Sequence, residues 1–154
     1  YGFWLGFSSD NHLTGNHISA NHRAGIAVEN GVEFEIVENI FDGNAYGILV
    51  WSKHVPAFID ALPGNDTSKN WTIRENRLFR NGRAIRIAAN QNHGLHSAAA
   101  HPACPAPFDH RINNNVFTDN QVAVEIEGAK DIRIKDNRYH GEQQIKLVEN
   151  PRAE

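Results

Sequence analysis

Residues Phe34 to Trp51 read FEIVENIFDGNAYGILVW. They form one complete coil of a solenoid in miniature: an apolar strand through Ile36, a bend at Asn39, a short strand through Phe41, a second bend at Asn44 and a closing strand GILV. Four other stretches repeat the pattern. Aligning the first bend gives Asn16, Asn39, Asn76, Asn115 and Asn137, and five residues later Asn21, Asn44, Asn81 and Asn120, with Glu142 in the fifth copy. An apolar residue stands two after each first asparagine (Ile18, Phe41, Leu78, Phe117, Tyr139) and another three before it (Leu13, Ile36, Ile73, Ile112, Ile134). Self-similarity at a fixed period signals a repeat architecture, and it takes precedence over any residue-level chemistry.

Each copy closes on apolar–any–apolar, as in Ile26-Ala27-Val28, Ile48-Leu49-Val50, Ile85-Arg86-Ile87, Val124-Glu125-Ile126 and Ile145-Lys146-Leu147. A period of two predicts strands. Asparagine suits the bends because it tolerates left-handed backbone and bonds to neighbouring backbone groups. Stacked about 4.8 Å apart, such asparagines can also bond their own copies above and below. The first two bends lie 23 residues apart and the last two 22, whereas the middle gaps are 37 and 39. Both excesses fall after a closing strand, which predicts insertions at 52–68 and 89–110.

The repeat resembles the right-handed parallel β-helix proteins, a group that includes pectate lyases, polygalacturonases, alginate epimerases and the periplasmic copper-site accessory protein of nitrous oxide reductase. The resemblance implies an all-β, right-handed parallel β-helix of about five coils with three flat sides. Closing strands would form the first sheet, strands before the first bend the second, and strands after it the third. It further implies a single domain over residues 1–154, a polysaccharide or oligosaccharide partner and a secreted, periplasmic or cell-surface location. Fold alone does not determine activity. The chain has neither the aspartate cluster of the calcium-binding lyases, nor the paired aspartates of polygalacturonases, nor the DPHE motif of the epimerases.

Composition sets further bounds. With 154 residues, the chain is long enough to bury a continuous stacked core. A net charge of −3 gives no electrostatic case for nucleic acid, and no apolar stretch is long enough to span a membrane. The lone cysteine, Cys104, excludes an internal disulfide. Tyr1-Gly2-Phe3-Trp4-Leu5 matches Tyr46-Gly47-Ile48-Leu49-Val50, so the first residue already lies in a closing strand. The expectation is a fragment of a longer solenoid, with upstream coils or end-to-end self-association as partners.

Residues between the inward apolar pairs must face outward. One outward column is Trp4, Ala27, Leu49, Arg86, Glu125 and Lys146. The next is Gly6, Glu29, Trp51, Ala88, Glu127 and Val148, with Tyr46 and Arg83 on the opposite corner. On a pectate-lyase-like helix this sheet floors the substrate groove. Trp4, Glu29, Tyr46, Leu49, Trp51 and Arg83 are the expected sugar-binding residues, offering aromatic faces to rings and polar groups to hydroxyls or carboxylates. Arg86, Glu125, Glu127 and Lys146 are the catalytic candidates. Two carboxylates two residues apart could serve an inverting hydrolase, or a basic side chain an eliminating lyase, in which calcium or a cationic group would neutralise the uronate carboxylate. The plain alternative is a cross-strand charge ladder in a non-catalytic structural or adhesive segment. In the second insertion His93, His96, His101 and Cys104 have ligand types that a divalent metal, zinc or copper, could use, and the third alternative is a metal-handling periplasmic accessory protein that delivers or stores metal there. His12, His17 and His22 fall at solvent or bend phases, as polar fillers.

Overall fold

The computed structural model describes residues 1–89 and 105–148, and they form three all-parallel sheets. The first contains Phe3–Trp4, Ala24–Glu29, Tyr46–Trp51, Arg83–Ala88, Val122–Glu127 and Gln144–Val148. The second contains Ser9–Thr14, Val32–Val37, Lys69–Arg74, Phe108–Asn113 and Arg133–Lys135. The third contains His17–Ser19, Ile40–Asp42, Arg77–Phe79, Val116–Thr118 and Arg138–His140. Every strand pairs with its own copy in the adjacent coil, in the register read from the sequence: Ile36 with Ile73, Phe41 with Leu78, Ile48 with Ile85. The inward side chains form one continuous core along the axis, from Ile26, Ile48 and Ile85 to Phe41, Leu78 and Phe117. In the last coil Ile145 and Leu147 have no coil beyond them among the described residues, and they are 48% and 67% exposed.

Two asparagine ladders run through the bends. In the first, the backbone N–H and Nδ2 of Asn16, Asn39, Asn76 and Asn115 each donate to Oδ1 of the asparagine one coil on, at 2.9 to 3.1 Å. The same Nδ2 reaches back to a carbonyl of the preceding coil, Asn76 to Ile36 O at 2.8 Å and Asn115 to Ile73 O at 2.9 Å. Asn21, Asn44, Asn81 and Asn120 form the second ladder. Its fifth rung is not Glu142 but Gln143, whose Oε1 accepts from Asn120 Nδ2 at 3.0 Å and whose Nε2 donates to Phe117 O at 2.9 Å. A carboxylate has no N–H to donate, so the longer amide side chain one residue later takes the place. The backbone accommodates the extra residue at Gly141 and through a register shift opposite Val122 and Val124.

The ladder asparagines are not themselves left-handed. That conformation belongs to the residue before each asparagine rung: Gly15, Glu38, Glu75, Asn114 and Asp136 in the first ladder, and Ala20, Gly43, Arg80 and Asp119 in the second, whereas before Gln143 it falls two residues earlier, at Gly141. The bend therefore divides its labour. One residue turns the chain, and the next keeps ordinary backbone and gives its amide to the stack.

The irregular segments differ from expectation at one end. The strand of the fourth coil begins at Phe108, so His110 lies in the second sheet rather than in the insertion. It pairs with Trp71, which stacks on Phe34 at 4.3 Å, and meets the Trp71 ring edge-on at 5.9 Å. His110 thus fills the core position that Phe34 and Trp71 fill in earlier coils. It is fully buried, and neither ring nitrogen has a hydrogen-bond partner. The first insertion carries a short helix, Pro56–Ala61, and is fixed to the body by buried polar groups. Asn30 Nδ2 donates to Lys53 O and Asn65 O, Asn65 Nδ2 donates to Ser8 O and Asn30 O, and the Ser52 and Thr67 hydroxyls meet at 2.6 Å.

Removing an interior rung should cost more than removing a terminal one. Asn76→Ala strands a donor in the preceding coil and a carbonyl beside it, for a loss of about 3 kcal/mol or more, whereas Asn16→Ala loses donors alone, about 1 kcal/mol; urea denaturation of the two variants measures the difference. Burial pushes the pKa of His110 down from 6.5 to about 3. The unfolded chain thus takes up its proton near pH 6.5 and the folded chain does not. Stability is complete above pH 6.5 and falls as the pH drops toward 3, by about 2 kcal/mol at pH 5. His110→Phe should remove that contribution, seen as a flatter dependence of the denaturation midpoint on pH between 7.5 and 5.

Candidate functional site

Three outward columns cross the first sheet, because a local irregularity at the start of each strand brings Ala24, Tyr46, Arg83 and Val122 to the same face as the two columns expected from alternation. The face divides along the axis into an apolar end and a charged end.

At the apolar end Ala24, Ala27, Leu49 and Trp51 form a second cluster outside the sheet, with Tyr46 at its edge. Leu49 and Trp51 are only 5% and 1% exposed, so the floor expected there is filled and these two support the surface rather than form it. Trp51 is fixed by its indole Nε1, which donates to Glu29 Oε2 at 2.7 Å. Trp4 leans across the small Ala27 to lie 5.4 Å from the Trp51 ring, and Tyr1 meets Trp4 edge-on at 5.0 Å. Trp4 is 53% exposed and presents its outer side to solvent. Phe7 and Phe58 pack at 4.8 Å beside the helix of the first insertion, with Phe58 exposed.

At the charged end the candidate catalytic residues are brought together and tied to one another. Glu125 Oε2 accepts from Arg83 Nε at 2.7 Å and lies 3.0 Å from Arg86 Nε, although the Arg86 Nε–H is not aimed at it and makes no hydrogen bond. Arg86 Nη2 donates to Glu127 Oε2 at 2.5 Å. Both carboxylates are therefore engaged by guanidinium groups, and the Glu125 side chain is only 12% exposed. Arg83 also stacks over the Tyr46 ring at 5.5 Å. Lys146, the register mate of Glu125 on the next strand, is half-buried and makes no ion pair among the described residues. Both hydrogen-bonded pairs run diagonally, since Arg83 is in register with Val122 and Arg86 with Glu125.

His12, His17 and His22 are exposed on the body, as expected of polar fillers. His93, His96, His101 and Cys104 lie outside the described residues. Among the described residues no group of three His, Cys, Asp or Glu side chains is arranged to hold a metal, and no helix is long and apolar enough to cross a membrane.

Residues 1–59 match the family model described as right handed beta helix region, and the same coil continues in unbroken sheet pairing through Val148. The fold is a parallel β-helix, and its first coils are similar to that family. Comparison with curated proteins and with solved structures returned no match.

Because Glu125 sits between two guanidinium groups, Glu125→Ala leaves Arg83 without a carboxylate and Arg86 with Glu127 alone, and should destabilise the fold by about 2 kcal/mol. Arg83→Ala, which leaves Arg86 beside Glu125, should cost under about 1 kcal/mol. Thermal denaturation of the pair checks the asymmetry.

Proposed function

We propose that the outer face of the first sheet binds a polysaccharide chain without cleaving it. The observation that supports this reading is Trp4: an aromatic ring half open to solvent, held at a fixed tilt on Trp51, which is itself fixed by Glu29. A braced aromatic plane loses little conformational entropy on binding, and it suits the apolar face of a sugar ring. Along the axis from it, Arg83, the Tyr46 hydroxyl and Lys146 offer donors to ring hydroxyls or to uronate carboxylates. The Trp4, Tyr46 and Arg83 positions, with Glu29, Leu49 and Trp51 beneath, would serve binding.

The candidate acid and base favour binding over chemistry. A general acid must carry a proton to the leaving oxygen, and a nucleophile must reach the reacting carbon. Glu125 and Glu127 are instead held in ion pairs with Arg83 and Arg86. A polysaccharide partner would place the protein outside the cytoplasm, secreted, periplasmic or on a cell surface. The alternative of a purely structural segment draws support from the same ion pairs, which satisfy the charges within the sheet.

Affinity electrophoresis through gels containing neutral and acidic polysaccharides separates the two. The expected result is retardation by at least one polymer, with Trp4→Ala raising the dissociation constant about tenfold, the equivalent of one lost stacking contact. Migration unaffected by every polymer would overturn the binding reading.

A further inference from the structure

The third sheet carries a trough that the groove on the first sheet does not explain. In its outward columns Val116 and Thr118 are short, whereas their register mates Arg77 and Phe79 on one side and Arg138 and His140 on the other are long. A low row between two tall rows leaves a channel one strand wide, with walls about 9.6 Å apart, two inter-strand spacings. The channel opens into a cavity of about 290 Å³ lined by Arg77, Phe79, Arg80, Val116, Thr118 and Asp119.

Its charges are separated along the strand. Arg80 forks onto Asp42 through Nε at 2.9 Å and Nη2 at 2.6 Å, lies over the Phe79 ring at 4.9 Å, and is held more firmly protonated by Asp42 and Asp119 together. The Arg80 cation is therefore compensated. Arg77, at the other end of the row, makes no ion pair among the described residues, and nor does Arg138 across the channel. The Asp119 carboxylate lies against the backbone of Gly141, where a Cβ would fall 2.1 Å from its Oδ1, so the glycine leaves room for it at the mouth of the cavity. The channel thus has an uncompensated guanidinium at one end, and a hydroxyl and a carboxylate about 7 Å away at the other, the span of two residues along a strand.

We propose that this trough is a second ligand site, separate from the first-sheet groove, that takes a single acidic sugar ring or a hydroxylated carboxylic acid of the same span. The ligand's carboxylate pairs with Arg77, its ring rests on Val116, and its hydroxyls donate to Asp119 and bond with Thr118. A guanidinium not already committed to a partner can give a carboxylate two parallel hydrogen bonds. Asp119 accepts from hydroxyls and repels a second anionic group, which selects one charge per ligand.

Titration of the full chain with glucuronate, followed by NMR, tests the assignment. Glucose and inorganic sulfate serve as the uncharged and the charge-only probes. The expected result is saturable shifts with glucuronate and not with glucose, and weaker shifts with sulfate. Arg77→Gln and Val116→Phe, which respectively removes the charge and fills the channel, should each raise the dissociation constant at least about tenfold. Trp4→Ala should leave it unchanged, so that failure of the first-sheet reading and failure of this one are told apart. Equal response to glucose, equal or stronger response to sulfate, absence of any saturable shift with glucuronate, or binding indifferent to Arg77→Gln would overturn the proposal. The melting temperatures of both variants verify that the fold is intact.

Discussion

The amide of one asparagine per bend, bonded to the next along the axis, is the contact on which the rest of the molecule depends. Parallel sheets alone fix strand spacing, but they do not determine where a chain must turn. Asn39, Asn76 and Asn115 do so by satisfying backbone groups from two coils at once: Oδ1 accepts from the N–H of the preceding coil's asparagine, and Nδ2 donates to one carbonyl of that coil and one of its own. These side chains are buried, and a buried amide without partners costs more than the bond it would have made. Any slip of one coil against its neighbour would leave several amides stranded together, so the ladder enforces the register that keeps Ile48 over Ile85 and Phe41 over Leu78. The turning itself falls to the left-handed residue before each rung. Glycine has no special claim on that position: glutamate, arginine, asparagine, aspartate and alanine all occupy it.

This division explains how much could be read from sequence. Strands, bends and core were legible because in-register stacking writes the same chemistry at the same phase in every coil. The left-handed residue was not legible, since its identity varies and the asparagine beside it draws the attention. Gln143 was missed because its amide reaches the ladder from one position later, and a fixed phase looks past it. His110 was assigned to a loop because histidine reads as polar, whereas its register with Trp71 makes it a core residue. The outer face was legible only in part. Alternation identifies which residues point outward, but not that Leu49 and Trp51 would be covered, nor that Arg83 would reach diagonally to Glu125.

The two ends of the first-sheet face follow from side-chain size. Where small residues such as Ala24 and Ala27 recur, large rings from neighbouring coils can collapse over them, and Trp4 and Trp51 meet over the strand that carries Ala27. Where long charged residues recur on adjacent strands, they reach one another before they reach solvent, and Arg83, Arg86, Glu125 and Glu127 close into a network. On the third sheet the alternation of tall and short rows leaves a furrow instead. One backbone geometry thus yields a ridge, a network and a channel.

The insertions bear on how such a chain can diversify. Bonded rungs lie 23 residues apart where no insertion intervenes and 39 apart where one does. The entropy of closing a loop grows only with the logarithm of its length, so that extension costs about 0.5 kcal/mol. The anchoring side chains Asn30, Asn65 and Ser68 sit at or near the seam, where the excursion leaves and rejoins the body. Segments of foreign sequence could therefore be grafted between residues 53 and 64 without disturbing the stack, which makes this corner the natural place for recognition to evolve, or to be engineered, while the scaffold stays constant.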